Sequence, residues 1–196
     1  MSQILLLQSS LNGPVSRTNQ LMERFLQTRR EQGHQDQVVV RDLTALDLPV
    51  LDSPLFHALR GAEPANEAIR QAVALSDRLI AELKAADLLL IGAPMYNLNV
   101  PTPLKNWFDL VARARVTFRY TYPMGLVEGV NALVFSSRGG VHQGQATDAV
   151  TPYLKSVLGL MGIPVEFVYA EGMDLRPHGA EQGMREAHAR IAGLGR

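Results

Sequence analysis

Three polar loops hold the residues whose types could do chemistry, and each directly follows an apolar run. The first covers residues 8–19 and reads QSSLNGPVSRTN. It leads into a predicted helix, whose free N–H groups would attract an anion such as phosphate. The hydroxyls of Ser10, Ser16 and Thr18 and the charge of Arg17 could add to that site. Ser16 could equally serve only as the helix N-cap, and this loop alone leaves both interpretations open.

The second loop covers residues 93–107 and reads APMYNLNVPTPLKNW. Its prolines and asparagines restrict the backbone to a fixed shape with exposed N–H groups. Such a loop suits a flat heteroaromatic ligand, one edge of which Met95 or Tyr96 could cover. A simple proline-pinned turn is the alternative. Trp107 and Phe108 are predicted to be core residues, because their helical spacing already explains them.

The third loop covers residues 136–142 and reads SSRGGVH. The adjacent Gly139 and Gly140 would let the backbone approach a ligand closely and present consecutive N–H groups to a negative charge. A turn that requires positive φ explains the two glycines as well. Both interpretations remain open from this loop.

Alternating apolar runs and helical patterns predict the elements that position these loops. The runs are residues 4–7, 38–40, 88–91, 133–135 and 165–169. Between them, apolar residues recur at helical spacing in five segments, the last and weakest of which contains Met184, His188 and Ile191. Gly33 and Gly162 are predicted to end helices. Residues 42–66 form the longest irregular stretch, with at most a short helix.

Strands that alternate with helices predict a parallel sheet, and uniformly apolar strands predict helices on both of its faces. We therefore predict an α/β, flavodoxin-like three-layer sandwich in which five parallel strands have the order 2-1-3-4-5. The length of 196 residues predicts one domain over residues 1–196. In such a sheet ligands bind beyond the carboxyl ends of the strands, where the three loops would meet.

Composition excludes several classes of protein. Lys plus Arg and Asp plus Glu each number 19, so no overall charge favours nucleic acid or an anionic membrane. The chain has no cysteine, which removes disulfides and thiolate nucleophiles and is typical of the reducing cytoplasm. Its N-terminal apolar run is too short for a secretory signal, and no apolar run is long enough to span a membrane. The five histidines have no ligand spacing, so we predict no metal site.

The motifs that the sequence lacks argue against further classes of protein. The chain has neither the G-x-G-x-x-G dinucleotide fingerprint nor a G-x-x-x-x-G-K-[ST] P-loop, which argues against tightly held NAD or ATP. It also lacks the esterase sequence G-x-S-x-G, so a hydrolase has only the serine-rich first loop in its favour.

Together, the motifs S-S-x5-S-x-T-N, P-M-Y-N-x-N-x-P-x-x-L-K-N-W-x-D and S-S-R-G-G resemble those of the FMN-dependent NADH azoreductase and quinone reductase family. The resemblance extends over nearly the whole chain, including residues 41–43, 116–120 and 170–172. It implies a homodimer with one FMN per subunit, which uses NADH or NADPH to reduce quinones, azo compounds or nitroaromatics. Leu98 stands where many relatives have Phe, and segment 121–129 is short for the family; both differences affect substrate preference.

The resemblance also assigns residues to the cofactor. Those implied to bind FMN are Ser10, Ser16, Arg17 and Thr18 at the phosphate and ribityl end, Met95, Tyr96, Asn97 and Leu98 along the ring, and Ser137, Arg138, Gly139 and Gly140 at its pyrimidine side. Asn97 would also act in catalysis by donating its N–H toward flavin N5. Tyr120 matches an aromatic residue on the substrate side.

The implied reaction is ping-pong hydride transfer through flavin N5. A flavodoxin-like electron carrier is the main alternative; such carriers tend to be strongly acidic, whereas this chain is neutral.

Overall fold

The computed structural model describes residues 1–194 and contains one parallel sheet. Its strands are β1 (Gln3–Gln8), β2 (Gln37–Asp42), β3 (Leu88–Gly92), β4 (Asn131–Ser137) and β5 (Val165–Ala170). Their order is β2-β1-β3-β4-β5, and every neighbouring pair is parallel. The predicted flavodoxin-like α/β topology is confirmed.

Helices cover both faces of the sheet. They are α1 (Arg17–Glu31), α2 (Ser53–Ala58), α3 (Glu67–Ala85), α4 (Thr102–Val111), α5 (Val150–Met161) and α6 (Gly179–Leu194). Because side chains alternate along a strand, Ile4 and Leu6 pack with α1 and α6, while Leu5 and Leu7 pack with α3, α4 and α5. The three predicted layers are therefore present, and Trp107 belongs to the core as expected.

Helix boundaries follow local chemistry. Gly162 ends α5 in the left-handed conformation at φ 88°, and Gly33 has φ 85° just beyond the end of α1. Both confirm the predicted helix ends. In α6 the buried stripe consists of Gly183, Ala187 and Ile191. The predicted stripe was thus partly wrong, because His188 is exposed.

β2 departs from the burial that its apolar run predicts. β2 is an edge strand, and Val38, Val39 and Val40 are 37%, 40% and 48% exposed. The predicted order already put this strand at the edge, but its uniformly apolar run predicted burial on both faces, so the exposure of these valines was not predicted. The irregular stretch 42–66 contains only the short α2, as expected. No helix within residues 1–194 is both long and apolar enough to cross a membrane.

Candidate active site

The first loop delivers two free backbone donors at the start of α1. Ser16 is the N-cap, and its Oγ accepts a hydrogen bond of 3.2 Å from the N–H of Asn19. The Ser16 and Thr18 hydroxyls lie 3.1 Å apart, and both residues are buried. Within residues 1–194 nothing accepts the N–H groups of Arg17 and Thr18. Ser16 therefore caps α1, and this cap leaves the two donors available to an anion.

Arg17 contributes to this arrangement through its backbone. Its exposed guanidinium donates to Gln20 Oε1 at 3.2 Å, and the residue lines a surface depression together with Arg185 and His188 of α6. The charge of Arg17 is thus on the outside of α1, while its N–H is at the helix start.

A tight turn in the second loop presents another pair of donors. The N–H groups and carbonyls of Tyr96 and Asn99 bond each other reciprocally at 3.0 Å. Asn97 and Leu98 between them have φ values of 49° and 64°. Positive φ is costly for a branched residue such as Leu, and such strain clusters at functional sites. No described residue accepts the N–H of either Asn97 or Leu98.

Tyr96 ties the second loop to the first. Its phenol oxygen accepts the N–H of Leu11 at 3.1 Å and lies 3.2 Å from Ser10 Oγ. The N–H of the half-buried Met95 donates to Ser137 O at 2.9 Å and so joins the second loop to the end of β4. These bonds hold the three loops together, as ligand binding across them would require.

The third loop turns its carbonyls toward the segment after β5. The carbonyls of Arg138, Gly139 and Gly140 accept bonds of 2.9 to 3.0 Å from backbone N–H groups of residues 172–174. In the described part of the chain, the N–H groups of Gly139, Gly140 and Val141 have no acceptor. These three consecutive N–H groups are called the glycine-loop donors below.

Neighbouring side chains lie close to both glycines. A Cβ on Gly139 would meet Asp174 Oδ2, and one on Gly140 would lie 2.8 Å from His142 Nε2, but both atoms are the ends of side chains that can move aside. Neither glycine has a positive φ. The interpretation of this loop as a turn that needs positive φ is therefore wrong, and close approach of a ligand to the two glycines stays a prediction.

Arg138 does not present its charge to the site. Its side chain has 0% exposure and contacts Asp148 Oδ2 at 3.1 Å and Glu171 Oε1 at 3.2 Å. Burial alone would raise the pKa of Asp148, but the Thr151 N–H and the Arg138 guanidinium outweigh it, so the pKa lies below its ordinary value. The pyrimidine contact implied for Arg138 cannot come from this guanidinium.

A cavity of about 740 Å³ opens beside the 96–99 turn. Its walls include Leu11, Tyr96 and Asn97 from the loops and Tyr153 from α5. This volume is in the range of small-molecule sites. Burial and the nearby Asp109 carboxylate raise the pKa of Tyr153, so its phenol stays protonated.

Tyr120 lies apart from this cavity. It is 74% exposed, and its ring packs edge-on against Phe118 with 5.6 Å between the centroids. It is not among the residues that line the cavity. Within one chain, the structure does not bring Tyr120 together with the other predicted site residues.

Two acidic residues near the site, Asp148 and Glu171, were not predicted as functional. Both are bound to the buried Arg138, and only Glu171 belonged to a motif that carried the resemblance. The sequence does not show whether an acidic side chain in a loop points into the protein or into solvent. The spacing of Asp148 and Glu171 therefore could not predict this cluster.

Comparison with known proteins assigns the family. A family model described as a flavodoxin-like fold matches residues 2–194, and the chain belongs to that family. It is 66% identical to FMN-dependent NADH:quinone oxidoreductase 4 of Burkholderia lata over 99% of each chain. It is 51% identical to the FMN-dependent NADH:quinone oxidoreductase of Escherichia coli K12 over 97% of each. The crystal structure of an azoreductase from Bacillus anthracis is 28% identical, with a TM-score of 0.86 over 100% of this chain and 99% of that chain.

Proposed function

We propose that this protein is an FMN-dependent NADH:quinone oxidoreductase that also reductively cleaves aromatic azo compounds to amines. One observation carries the proposal: backbone donors that have no acceptor among residues 1–194 come together from three loops at one edge of the sheet. They come from residues 17–18, residues 97–98 and the glycine-loop donors. The quinone oxidoreductases and the azoreductase to which the chain is similar support this function.

These residues fit FMN. The start of α1, with the N–H groups of Arg17 and Thr18 and the buried hydroxyls beside them, would hold the phosphate. Ser10 and Tyr96 would close the ribityl side. The ring would lie between the 96–99 turn and the glycine-loop donors, with Met95 and Leu98 at its borders and Ser137 at the pyrimidine side.

When bound, FMN would supply the redox chemistry, which is the transfer of hydride from a reduced nicotinamide and of two electrons to the acceptor. The chain positions the reactants and meets developing negative charge with preorganised donors. The Asn97 N–H is fixed by the positive φ of its turn. Tyr120 is an exposed phenol that could hold a proton at the acceptor side once a second subunit covers it.

The proposed position of FMN also leads to an oligomeric state, a kinetic mechanism and a range of acceptors. We infer a homodimer, a single pocket that reduced nicotinamide and acceptor occupy in turn, and quinones, azo compounds or nitroaromatics as acceptors. NADH and NADPH both remain donors in this proposal. We place the enzyme in the cytoplasm, without nucleic acid or membrane as partners, because the chain is neutral and has no cysteine.

Purification tests the proposal directly. The protein should be yellow, and acid should release about one FMN per subunit. The isolated protein should oxidise NADH when only a quinone is added, whereas an electron carrier would need a separate reductase. A colourless protein that takes up no added FMN would contradict the proposal.

A further inference from the structure

Glu171, directly after β5, is where three hydrogen-bond donors meet. Its Oε1 accepts the N–H groups of His142 and Gln143, each at 2.8 Å. It also accepts Arg138 Nη1 at 3.2 Å, and the Glu171 side chain is only 14% exposed. Nothing in the proposed reaction requires a carboxylate here. The free-energy cost of burying the Glu171 charge therefore needs another explanation.

Arg138 fixes Glu171 from the interior. Its guanidinium also donates to Thr151 Oγ1 at 2.8 Å and lies 4.7 Å from the centre of the Tyr169 ring. Asp148 supplies a second carboxylate at 3.1 Å. Because Arg138 is packed closely among these partners, it holds the Glu171 carboxylate in one orientation. The carboxylate in turn holds the N–H groups of His142 and Gln143.

The two residues whose N–H groups bond Glu171 directly follow the glycine-loop donors in the sequence. His142 and Gln143 are anchored by the carboxylate, while the carbonyls of residues 138–140 are anchored by N–H groups of residues 172–174. The stretch from Gly139 to Val141 is therefore fixed at both ends. Its own N–H groups find no acceptor between residues 1 and 194.

We propose that Glu171 is a positioning residue: by anchoring His142 and Gln143, it aims the glycine-loop donors at the FMN ring and so favours the reduced over the oxidised cofactor. The inference rests on the proposed placement of FMN. Preorganised donors stabilise the more negative state of a ligand, because they need not reorient when charge develops. Arg138 offsets the negative charge of Glu171, which would otherwise oppose this effect.

Two substitutions separate the positioning role from the charge. Glu171→Gln removes the charge but keeps an oxygen that can accept the two N–H groups, whereas Glu171→Met keeps the length and removes the acceptor. Both remove the same ionic partner of Arg138. For each variant the dissociation constant of oxidised FMN and the two-electron midpoint potential are measured, which together give the affinity for reduced FMN.

We expect Glu171→Met to weaken reduced FMN about tenfold more than oxidised FMN, which lowers the midpoint potential by about 30 mV. Glu171→Gln should have a midpoint potential at or above that of the wild type. Equal potentials in the two variants, or equal weakening of both redox forms by Glu171→Met, would overturn the inference.

Glu82 offers a matched control. Glu82 lies on α3, its carboxylate accepts a hydrogen bond of 2.9 Å from Arg41 Nε, and neither residue lines the cavity beside the 96–99 turn. Glu82→Gln and Glu82→Met should leave the midpoint potential unchanged, although both lose an arginine-bound carboxylate. A shift equal to that of the Glu171 pair would mean that lost stability, not positioning, moves the potential.

Amide hydrogen exchange on the apoprotein covers the case in which Glu171→Met does not fold. The isosteric Glu171→Gln should exchange the amides of His142 and Gln143 faster, because a neutral acceptor binds them less strongly. Amides of β4 should keep their protection. Unchanged exchange at His142 and Gln143 in this variant, together with a midpoint potential below that of the wild type, would overturn the inference. A wild type that binds no FMN would instead contradict the proposed function, and the exchange result would still report on Glu171.

Discussion

Tyr96 shows how one side chain can join two loops that are distant in the sequence. Its phenol oxygen is the acceptor for the Leu11 N–H and lies within hydrogen-bond distance of Ser10 Oγ. Ser10 Oγ in turn accepts the N–H of Asn12 at 3.3 Å. The hydroxyl of Tyr96 thus fixes the first loop relative to the turn at residues 96–99.

Tyr96→Phe should weaken FMN binding by roughly three- to tenfold, the equivalent of about one hydrogen bond. The ring remains to pack, so the fold should persist. Titration of apoprotein with FMN, followed by flavin fluorescence, gives the dissociation constant. Ser53→Ala, which removes a hydroxyl from an exposed residue of α2, is the control. An unchanged constant for Tyr96→Phe would show that the first loop is held without this bond.

The Asp148 carboxylate makes the free energy of unfolding depend on pH. Because its pKa in the folded protein lies below the unfolded value of about 3.9, the carboxylate favours folding at pH values above that value. This contribution is lost as pH falls toward the folded-state pKa. Asp148→Asn should therefore be less stable at pH 6, with a smaller loss between pH 6 and pH 3 than the wild type. Urea unfolding of the apoproteins measures both, and parallel pH profiles would contradict the prediction.

At the scale of elements, the start of α1 combines a cap with the proposed phosphate site. Ser16→Ala removes the acceptor for the Asn19 N–H and should cost about 1 kcal/mol of apoprotein stability. Thr18→Ala removes a buried hydroxyl that caps nothing, so its main effect should be on FMN. The double variant should bind FMN at least tenfold more weakly, since hydroxyl bonds to a charged phosphate are worth about 1 kcal/mol or more each.

Apoprotein unfolding and FMN titration separate these two effects. Ser53, which begins α2 far along the chain, offers Ser53→Ala as a control that keeps the α1 hydroxyls. Equal FMN affinity in the wild type and the double variant would mean that the backbone N–H groups alone hold the phosphate.

The strands and helices and their order were predictable, because the periodicity of apolar residues and the glycines at helix ends depend on local structure. The strand order and the three loops at the carboxyl edge followed from that pattern, and solved relatives share the fold. The direction of the Arg138 side chain was not predictable. It depends on Asp148 and Glu171, which reach it from other parts of the chain. The turn at Asn97 and Leu98 was only partly predictable, because Asn often adopts a positive φ whereas Leu rarely does.

At the scale of the molecule, an exposed apolar segment favours a symmetric dimer. Tyr120, Tyr122 and Met124 are 74%, 93% and 45% exposed, although the segment is held in place by the bond from the Arg119 N–H to Met124 O at 2.8 Å. Fixed apolar side chains in solvent are typical of a subunit contact.

Replacing Tyr122 and Met124 by Ser should shift the protein from dimer to monomer and lower quinone reduction at least tenfold. Analytical ultracentrifugation across a dilution series gives the association state, and activity is measured on the same samples. Val50→Ser, at a residue 70% exposed elsewhere, should change neither. A wild-type monomer with full activity at low nanomolar concentration would contradict the dimer.

A cavity of about 740 Å³ lies beside the 96–99 turn, and the sequence has no second nucleotide-binding motif, so we expect reduced nicotinamide and acceptor to take turns in this cavity. NADH added without oxygen should bleach the flavin absorption nearly stoichiometrically before any quinone is present, and quinone added afterwards should restore it. Steady-state rates at several NADH concentrations should give parallel double-reciprocal lines against quinone. Intersecting lines, together with no bleaching by NADH alone, would require a ternary complex and a second binding site.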